Sequence, residues 1–204
     1  SQGFRVLCIG YTPIIINDNT LIKNLKCIGI LILSDVIRQD AKTTLDYFKR
    51  QDVDIKIISG DDPVTVSAIA RRCHLLNYEH YIDVSSLSDE QIKEAIEKYT
   101  IFGRVSPKQK QLMVNALQEN NHTVAMTGDG VNDVLALKAA DCSIAMASGS
   151  DAAKSASHIV LLKNNFNAMP HIVNEGRRVI NNIQRAASLF LVKTTFSTML
   201  AFLT

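Results

Sequence analysis

The sequence lacks a surplus of charge, a cysteine motif and any low-complexity tract, and each absence closes off a class of function. Lys plus Arg number 22 against 20 Asp plus Glu, a net charge of +2. A protein whose main partner is nucleic acid normally carries a strongly basic footprint, so no nucleic-acid role is expected. The four cysteines, Cys8, Cys27, Cys73 and Cys142, lie 19, 46 and 69 residues apart. None forms a C-x-x-C pair, so neither a zinc site nor a disulfide framework is implied. All four are expected as reduced core thiols in a cytosolic setting. The chain opens on Ser1-Gln2-Gly3, with no initiator Met, basic n-region or signal-peptide cleavage site. At 204 residues, 47% hydrophobic and 21% charged, it has the composition of one sizeable globular domain or of part of something larger. Disorder and a collagen-like repeat are excluded.

What is present alternates between strand and helix. Apolar, β-branched runs predict strands at 25–33, 54–58, 123–126, 142–147 and 158–162, and residues 4–10 are strand-like. Helical periodicity predicts helices at 39–51, 63–75, 108–119, 132–139 and 151–155. A further helix is predicted at 88–99, with Ser88 as N-cap and Gln91 completing a capping box. Strands separated by helices of this length imply an α/β fold, a parallel sheet covered on both faces. Such sheets bind ligands at the carboxyl ends of their strands. Residues 186–204 carry one charge, and a membrane span needs about 20 mostly apolar residues. They read either as a buried amphipathic helix or as a transmembrane helix cut near its far end, with Arg177, Arg178 and Arg185 on the cytoplasmic side. Both ends read as cuts, so a fragment is expected.

Three strand ends carry polar residues. The run 123–126 leads into Thr127-Gly128-Asp129-Gly130-Val131-Asn132-Asp133. Two glycines around one carboxylate let the backbone turn tightly and approach a ligand. Asp129 and Asp133 suit a hard cation such as Mg²⁺, which is held by one or two carboxylates plus water and substrate phosphate. A Gly-Asp turn followed by an acid-rich first helical turn is the alternative. The run 54–58 ends in Ser59-Gly60-Asp61-Asp62-Pro63, where Ser59 can donate to a phosphoryl oxygen and Asp61 or Asp62 can cap a helix. Between them lies Phe102-Gly103-Arg104-Val105-Ser106-Pro107-Lys108-Gln109-Lys110. Lys110 sits near a helix start, where the dipole does not favour a cation, so it either points into solvent or neutralises an anion at the strand ends. A hydroxyl, two cations and a carboxylate pair are the equipment of phosphoryl transfer, without a nucleophile.

The twenty residues Thr127 to Met146 resemble the hinge motif of P-type cation-transporting ATPases. Ser59-Gly60-Asp61 resembles their T-G-D motif with Ser for Thr, and Arg104 to Lys110 resembles the stretch with their phosphate-site lysine. Arg5 matches an arginine near the end of their nucleotide domain. Asp35-Val36-Ile37-Arg38 is similar to D-P-x-R, with Val and Ile replacing Pro and its neighbour. The resemblance covers essentially the whole chain. It implies a haloacid dehalogenase-like Rossmannoid domain, ATP and Mg²⁺ as cofactors, and a phosphoaspartyl intermediate driving ion transport. It implies Asp129 as the Mg²⁺ ligand with Asp133 as its support. Ser59, Gly60, Asp61, Arg104, Asn132 and Arg5 are implied around the nucleotide or its phosphates, and Lys110 at the transferred phosphoryl group.

The implied organisation is the end of a nucleotide-binding domain at 1–24, the C-terminal part of the phosphorylation domain at 25–166, and a stalk entering the membrane as a fifth span at 167–204. Residues 1 to about 185 are then cytoplasmic in a multi-pass cell-membrane protein, with lipid as a partner. The family's phosphorylated aspartate lies in D-K-T-G-T, and no D-K-T occurs here. The rest of the nucleotide-binding domain, the actuator domain and the other spans are absent too, so the isolated chain is not expected to turn over ATP. Asp35 follows an apolar run, as a nucleophilic Asp would, but Ile37 stands where a second Asp or a Thr belongs. Asp52-Val53-Asp54 precedes its strand instead of following it. The rival readings are a soluble phosphatase of the same superfamily using Asp35, and a non-catalytic nucleotide- or Mg²⁺-binding fragment. Val134-Leu135, where many members have Ala-Pro, points to a bacterial subgroup, and calcium is the expected ion. Lys193 is read as a lysine reaching toward the membrane interface.

Overall fold

The computed structural model describes residues 5–12, 25–33, 37–38, 40–163 and 165–203. Asp35 lies outside the described residues, and so does the side chain of Arg5. The first two strands, β1 (Arg5–Tyr11) and β2 (Lys26–Leu33), form an antiparallel hairpin with Arg5 opposite Leu33 and a bulge at Ile9/Gly10. β2 therefore does not join a parallel sheet as its apolar run predicted. It takes the neighbouring apolar strand as partner, and the pairing crosses the 24/25 division drawn from the sequence. The hairpin leaves Val6, Ile9, Ile28, Ile30 and Ile32 exposed.

After the hairpin, helices and parallel strands alternate: α1 (Ala41–Arg50), β3 (Ile57–Ile58), α2 (Pro63–Arg72), β4 (Tyr81–Asp83), α3 (Asp89–Lys98), β5 (Ile101–Gly103), α4 (Pro107–Glu119) and β6 (Ala125–Gly128). A 3₁₀ turn, Val131–Asp133, leads into α5 (Val134–Ala139), followed by β7 (Cys142–Met146), α6 (Asp151–Ala156), β8 (Ile159–Leu161) and α7 (Ala168–Leu203). Among the described residues the parallel strands form two three-stranded sheets, ordered β3-β5-β4 and β6-β7-β8, where the sequence predicted one. The α/β class holds. β4 was not predicted, and the strand predicted at 54–58 shrinks to β3.

Local chemistry sets several helix starts. Ser88 accepts from the Gln91 N–H while Gln91 accepts from the Ser88 N–H, so the predicted capping box is present. Ser106 and Gln109 form a second box at α4, with Pro107 at the first helical position. Asp62 caps α2 by accepting from the Val64 N–H at 3.0 Å.

The larger core surrounds β5, all of whose residues are buried. Phe102 packs there with Val84, Ile92, Ile96, Met113 and Ala116. The next residue along α4, Val114, belongs to a different cluster with Ala136 and Ala140, against which Val124 and Met126 pack. α4 thus has one face in the core of each sheet. In the second sheet, buried Ser143 ties β7 to the residue before β8. Its N–H donates to His158 Nδ1 at 3.0 Å, and its hydroxyl oxygen accepts from the His158 N–H at 3.1 Å.

The cysteines depart from expectation. All four thiols are free, but Cys8 and Cys27 are exposed on the hairpin, and Cys73 and Cys142 are only half-buried. The hairpin gives Cys8 and Cys27 no layer to be buried under.

α7 runs unbroken through Gly176 for 36 residues, about 54 Å at 1.5 Å per residue. Its start is anchored where Met169, Phe166 and Ile172 meet Phe48, Ile144 and Leu161, and where the Tyr47 hydroxyl donates to Asn174 Oδ1. From Asn174 to Phe202 its residues are exposed, so the buried-helix alternative fails. Among the described residues, no helix is long and apolar enough to cross a membrane. The expected segment, 186–204, was a span cut near its far end, and it runs beyond the described residues. Lys193, Thr194, Thr195, Ser197 and Thr198 dilute the apolar run between Leu189 and Leu203.

Candidate functional site

The structure brings Lys110, Asp129, Asn132 and Asp133 together after β6. Lys110 projects from the first turn of α4, and its Nζ lies 2.6 Å from Asp133 Oδ1. Both side chains are largely buried, 12% and 10% exposed. Lys110 thus neither points into solvent nor waits for an external anion alone: it already holds one carboxylate. The other oxygen of Asp133 accepts from the backbone N–H groups of Asp129 (3.3 Å) and Gly130 (3.1 Å). Asp133 therefore fixes the loop and the lysine with one carboxylate, a charge-assisted arrangement. Gly128 is required here, because a Cβ on it would lie 2.6 Å from Asp133 Cβ.

Asp129 is different. Its side chain is exposed and takes no hydrogen bond or ion pair among the described residues, while its backbone is held firmly. Its carbonyl oxygen accepts from the Ser150 N–H at 2.7 Å. A Cβ on Gly149 would lie 2.7 Å from that oxygen and 3.0 Å from Asp129 Cα. The sequence reading missed Gly149 and Ser150. The signal was a Gly-Ser-Asp run before a helical segment, since Ser150 is the N-cap of α6. Gly149→Ala is expected to cost about 1–3 kcal/mol, because backbone rather than a flexible side chain blocks the added methyl group. Urea denaturation checks this, and an unchanged midpoint would show that the loop yields freely.

The second group, Ser59, Gly60, Asp61 and Arg104, lies at the ends of β3 and β5. The Ser59 carbonyl accepts from the Val105 N–H at 3.0 Å, and the Asp61 carbonyl from the Arg104 N–H at 2.8 Å, so the two loops are laced together. The Ser59 hydroxyl oxygen accepts from the Asp61 N–H at 3.1 Å, which leaves its own hydrogen to donate. Arg104 has φ of 56° and reaches two carboxylates, Asp62 at 3.0 Å and Asp83 at 3.5 Å. Hydrogen bonds from Ser85, with the Arg104 charge behind them, hold the Asp83 carboxyl below its ordinary range. Sequence reasoning gave Arg104 no protein partner, because Asp62 and Asp83 meet it only through the strand order. Ser106, two residues on, caps α4, so Lys110 links the two groups: its backbone extends from the Arg104 loop and its ammonium rests on Asp133.

This arrangement fits a Mg²⁺ ion at Asp129. One unengaged, exposed carboxylate on a fixed backbone matches an ion that keeps several waters and takes few protein ligands. Asp133, with both oxygens engaged, fits the role of support. Among the described residues no group of three or more His, Cys, Asp or Glu is gathered as a protein cage.

Comparison with known proteins agrees with this reading of the fold. Residues 11–141 match the haloacid dehalogenase-like hydrolase family. A probable cation-transporting ATPase (exp7) of Streptococcus pneumoniae serotype 4 is 49% identical over 98% of this chain, and the match covers 26% of that protein. The calcium-transporting ATPase CtpE of Mycobacterium bovis is 47% identical over 100% of the chain, again across 26% of its own length. The chain thus spans about a quarter of the curated relatives it matches. Among solved structures, a zinc-transporting PIB-type ATPase in its E2.Pi state superposes with a TM-score of 0.65 at 26% identity, covering 91% of this chain and 24% of that one. With its alternating α/β order and the family match over more than half its length, the chain belongs to the haloacid dehalogenase-like hydrolases, as the counterpart of a segment of the P-type cation-transporting ATPases.

Proposed function

We propose that this chain is the Mg²⁺- and phosphate-handling part of an ATP-driven cation pump, with calcium as the ion. The observation that carries the reading is the buried Lys110–Asp133 pair, which fixes a loop whose remaining carboxylate, Asp129, is unengaged. Bound there, Mg²⁺ would supply charge stabilisation to a phosphoryl group. The protein's own part is positional. Lys110 keeps a positive charge beside the loop, Asp133 stops that charge and the loop amides from wandering, and the Ser59 hydroxyl can donate to a phosphate oxygen. Gly60, Asp61, Asn132 and Arg104 line the approach for the nucleotide, and Arg5 is assigned there from sequence alone. The acceptor is an aspartate elsewhere in the polypeptide, which becomes the phosphoaspartyl intermediate.

The domain reading carries over as part of the proposal: the nucleotide-binding domain ends before 25, the phosphorylation domain runs to 166, and α7 is a stalk. An unbroken helix anchored beside the second sheet can pass movement of the site to a distant ion site. The proposed setting is a multi-pass cell-membrane protein, with the site on the cytoplasmic side. Names of relatives that include calcium transport support the ion.

The test uses the whole polypeptide that carries this segment, in sealed membrane vesicles. Calcium uptake dependent on both ATP and Mg²⁺ is expected. Uptake of another cation would replace the ion, and ATP hydrolysis with no cation uptake would end the pump reading.

A further inference from the structure

We propose that Cys8 and Cys27 form a reversible intrachain disulfide, making the β1–β2 hairpin a site of redox modification. The inference does not depend on the pump reading. The two Sγ atoms already lie 3.1 Å apart, with the Cys8 thiol directed at Cys27, and both residues are exposed. The hairpin register explains the approach. Cys27 stands opposite Gly10, two residues along from Cys8, so the two cysteines are diagonal neighbours on one face. The bulge at Ile9/Gly10, beside this pairing, adds local twist to the hairpin.

The other two thiols differ. Cys73 and Cys142 are half-buried, 69 residues apart in sequence, and have no thiol partner among the described residues. Burial raises the Cys73 thiol above its ordinary range, which lowers its reactivity further. The hydrogen bond that Cys8 donates to Cys27 also raises the Cys8 thiol, so the resting pair is a dithiol that needs an oxidant. A peroxide balances the step. One thiolate attacks the peroxide oxygen and releases water, giving a sulfenic acid. The neighbouring thiol then attacks that sulfur, forms the S–S bond and releases a second water. Two thiols lose two hydrogens in total, and a dithiol reductant reverses the change.

The test treats the native chain, kept dilute, with hydrogen peroxide and counts free thiols after denaturation. The expected result is a fall from four to two, an intact mass lower by two hydrogens, and a non-reduced tryptic peptide joining residues 6–23 to 27–38. A Cys73→Ser/Cys142→Ser variant should lose both of its thiols in the same way. Cys8→Ser and Cys27→Ser should each fail to form the linked peptide. Loss of Cys73 or Cys142 first, disulfide-linked dimers as the main product, or a linked peptide that a dithiol does not reopen would each overturn the proposal.

Discussion

Asp129→Asn is expected to abolish Mg²⁺-dependent phosphorylation of the polypeptide carrying this segment, while leaving the stability of the fold within about 0.5 kcal/mol of the original. The two halves of this expectation come from the same geometry. The carboxylate of Asp129 is exposed and makes no described contact, so the fold loses nothing when its charge is removed. The backbone beneath it is pinned by Ser150 and by Asp133, so asparagine occupies the same place. What changes is the proposed ligand: a neutral amide oxygen replaces an anion where the hard cation is proposed to bind. Metal charge stabilisation is worth several kcal/mol, so a loss of at least about a hundredfold should follow. Labelled phosphate transferred from ATP to the whole polypeptide reads the first half, and urea denaturation of this chain reads the second. Undiminished labelling would remove Asp129 as the metal ligand. A large shift in the urea midpoint would make it a structural residue.

Lys110→Met is expected to do the reverse, damaging the fold before it damages any chemistry. The variant leaves the Asp133 carboxylate buried without its cation, and breaking one side of such a pair costs about 3 kcal/mol, the lower end of the usual range. Methionine fills much of the same space, so the loss reports charge more than volume. Adding Asp133→Asn to Lys110→Met should recover part of the stability. Asparagine carries no charge, yet its carbonyl oxygen can still accept from the Asp129 and Gly130 N–H groups. A double-mutant cycle in urea measures this coupling. A single-variant loss under about 0.5 kcal/mol would mean that water screens the pair and that the loop does not depend on it.

These two residues also show where sequence reading stops. The glycine-flanked Asp129 was legible because its chemistry is local: strand, Gly, carboxylate, Gly, helix. The capping boxes at Ser88/Gln91 and Ser106/Gln109 are local in the same sense, with both partners three residues apart. The partner of Lys110 lies 23 residues away on a different element, and only the packing of α4 against α5 brings them together. Arg104 was placed near phosphate, yet its 42-residue link to Asp62 was invisible because α2 and β5 meet only in the folded chain. β2 was read correctly as a strand. Its direction was not legible, since β1 and β2 are apolar on both faces and periodicity says nothing about which neighbour a strand takes. β4 has three residues, too short for any periodicity to mark. The C-terminal helix was legible as a helix.

The double allegiance of α4 sets how this chain comes apart. Met113 and Ala116 serve the core around β5, while Val114, between them in sequence, serves the core between β6 and α5. Neither sheet can open fully while the helix stays in place, and the helix cannot leave without exposing both. The region from β3 to β8 is therefore one cooperative unit despite its two separate hydrogen-bonded sheets, and its unfolding is a single event rather than two. The hairpin and the far end of α7, which share neither core, can fray without disturbing it.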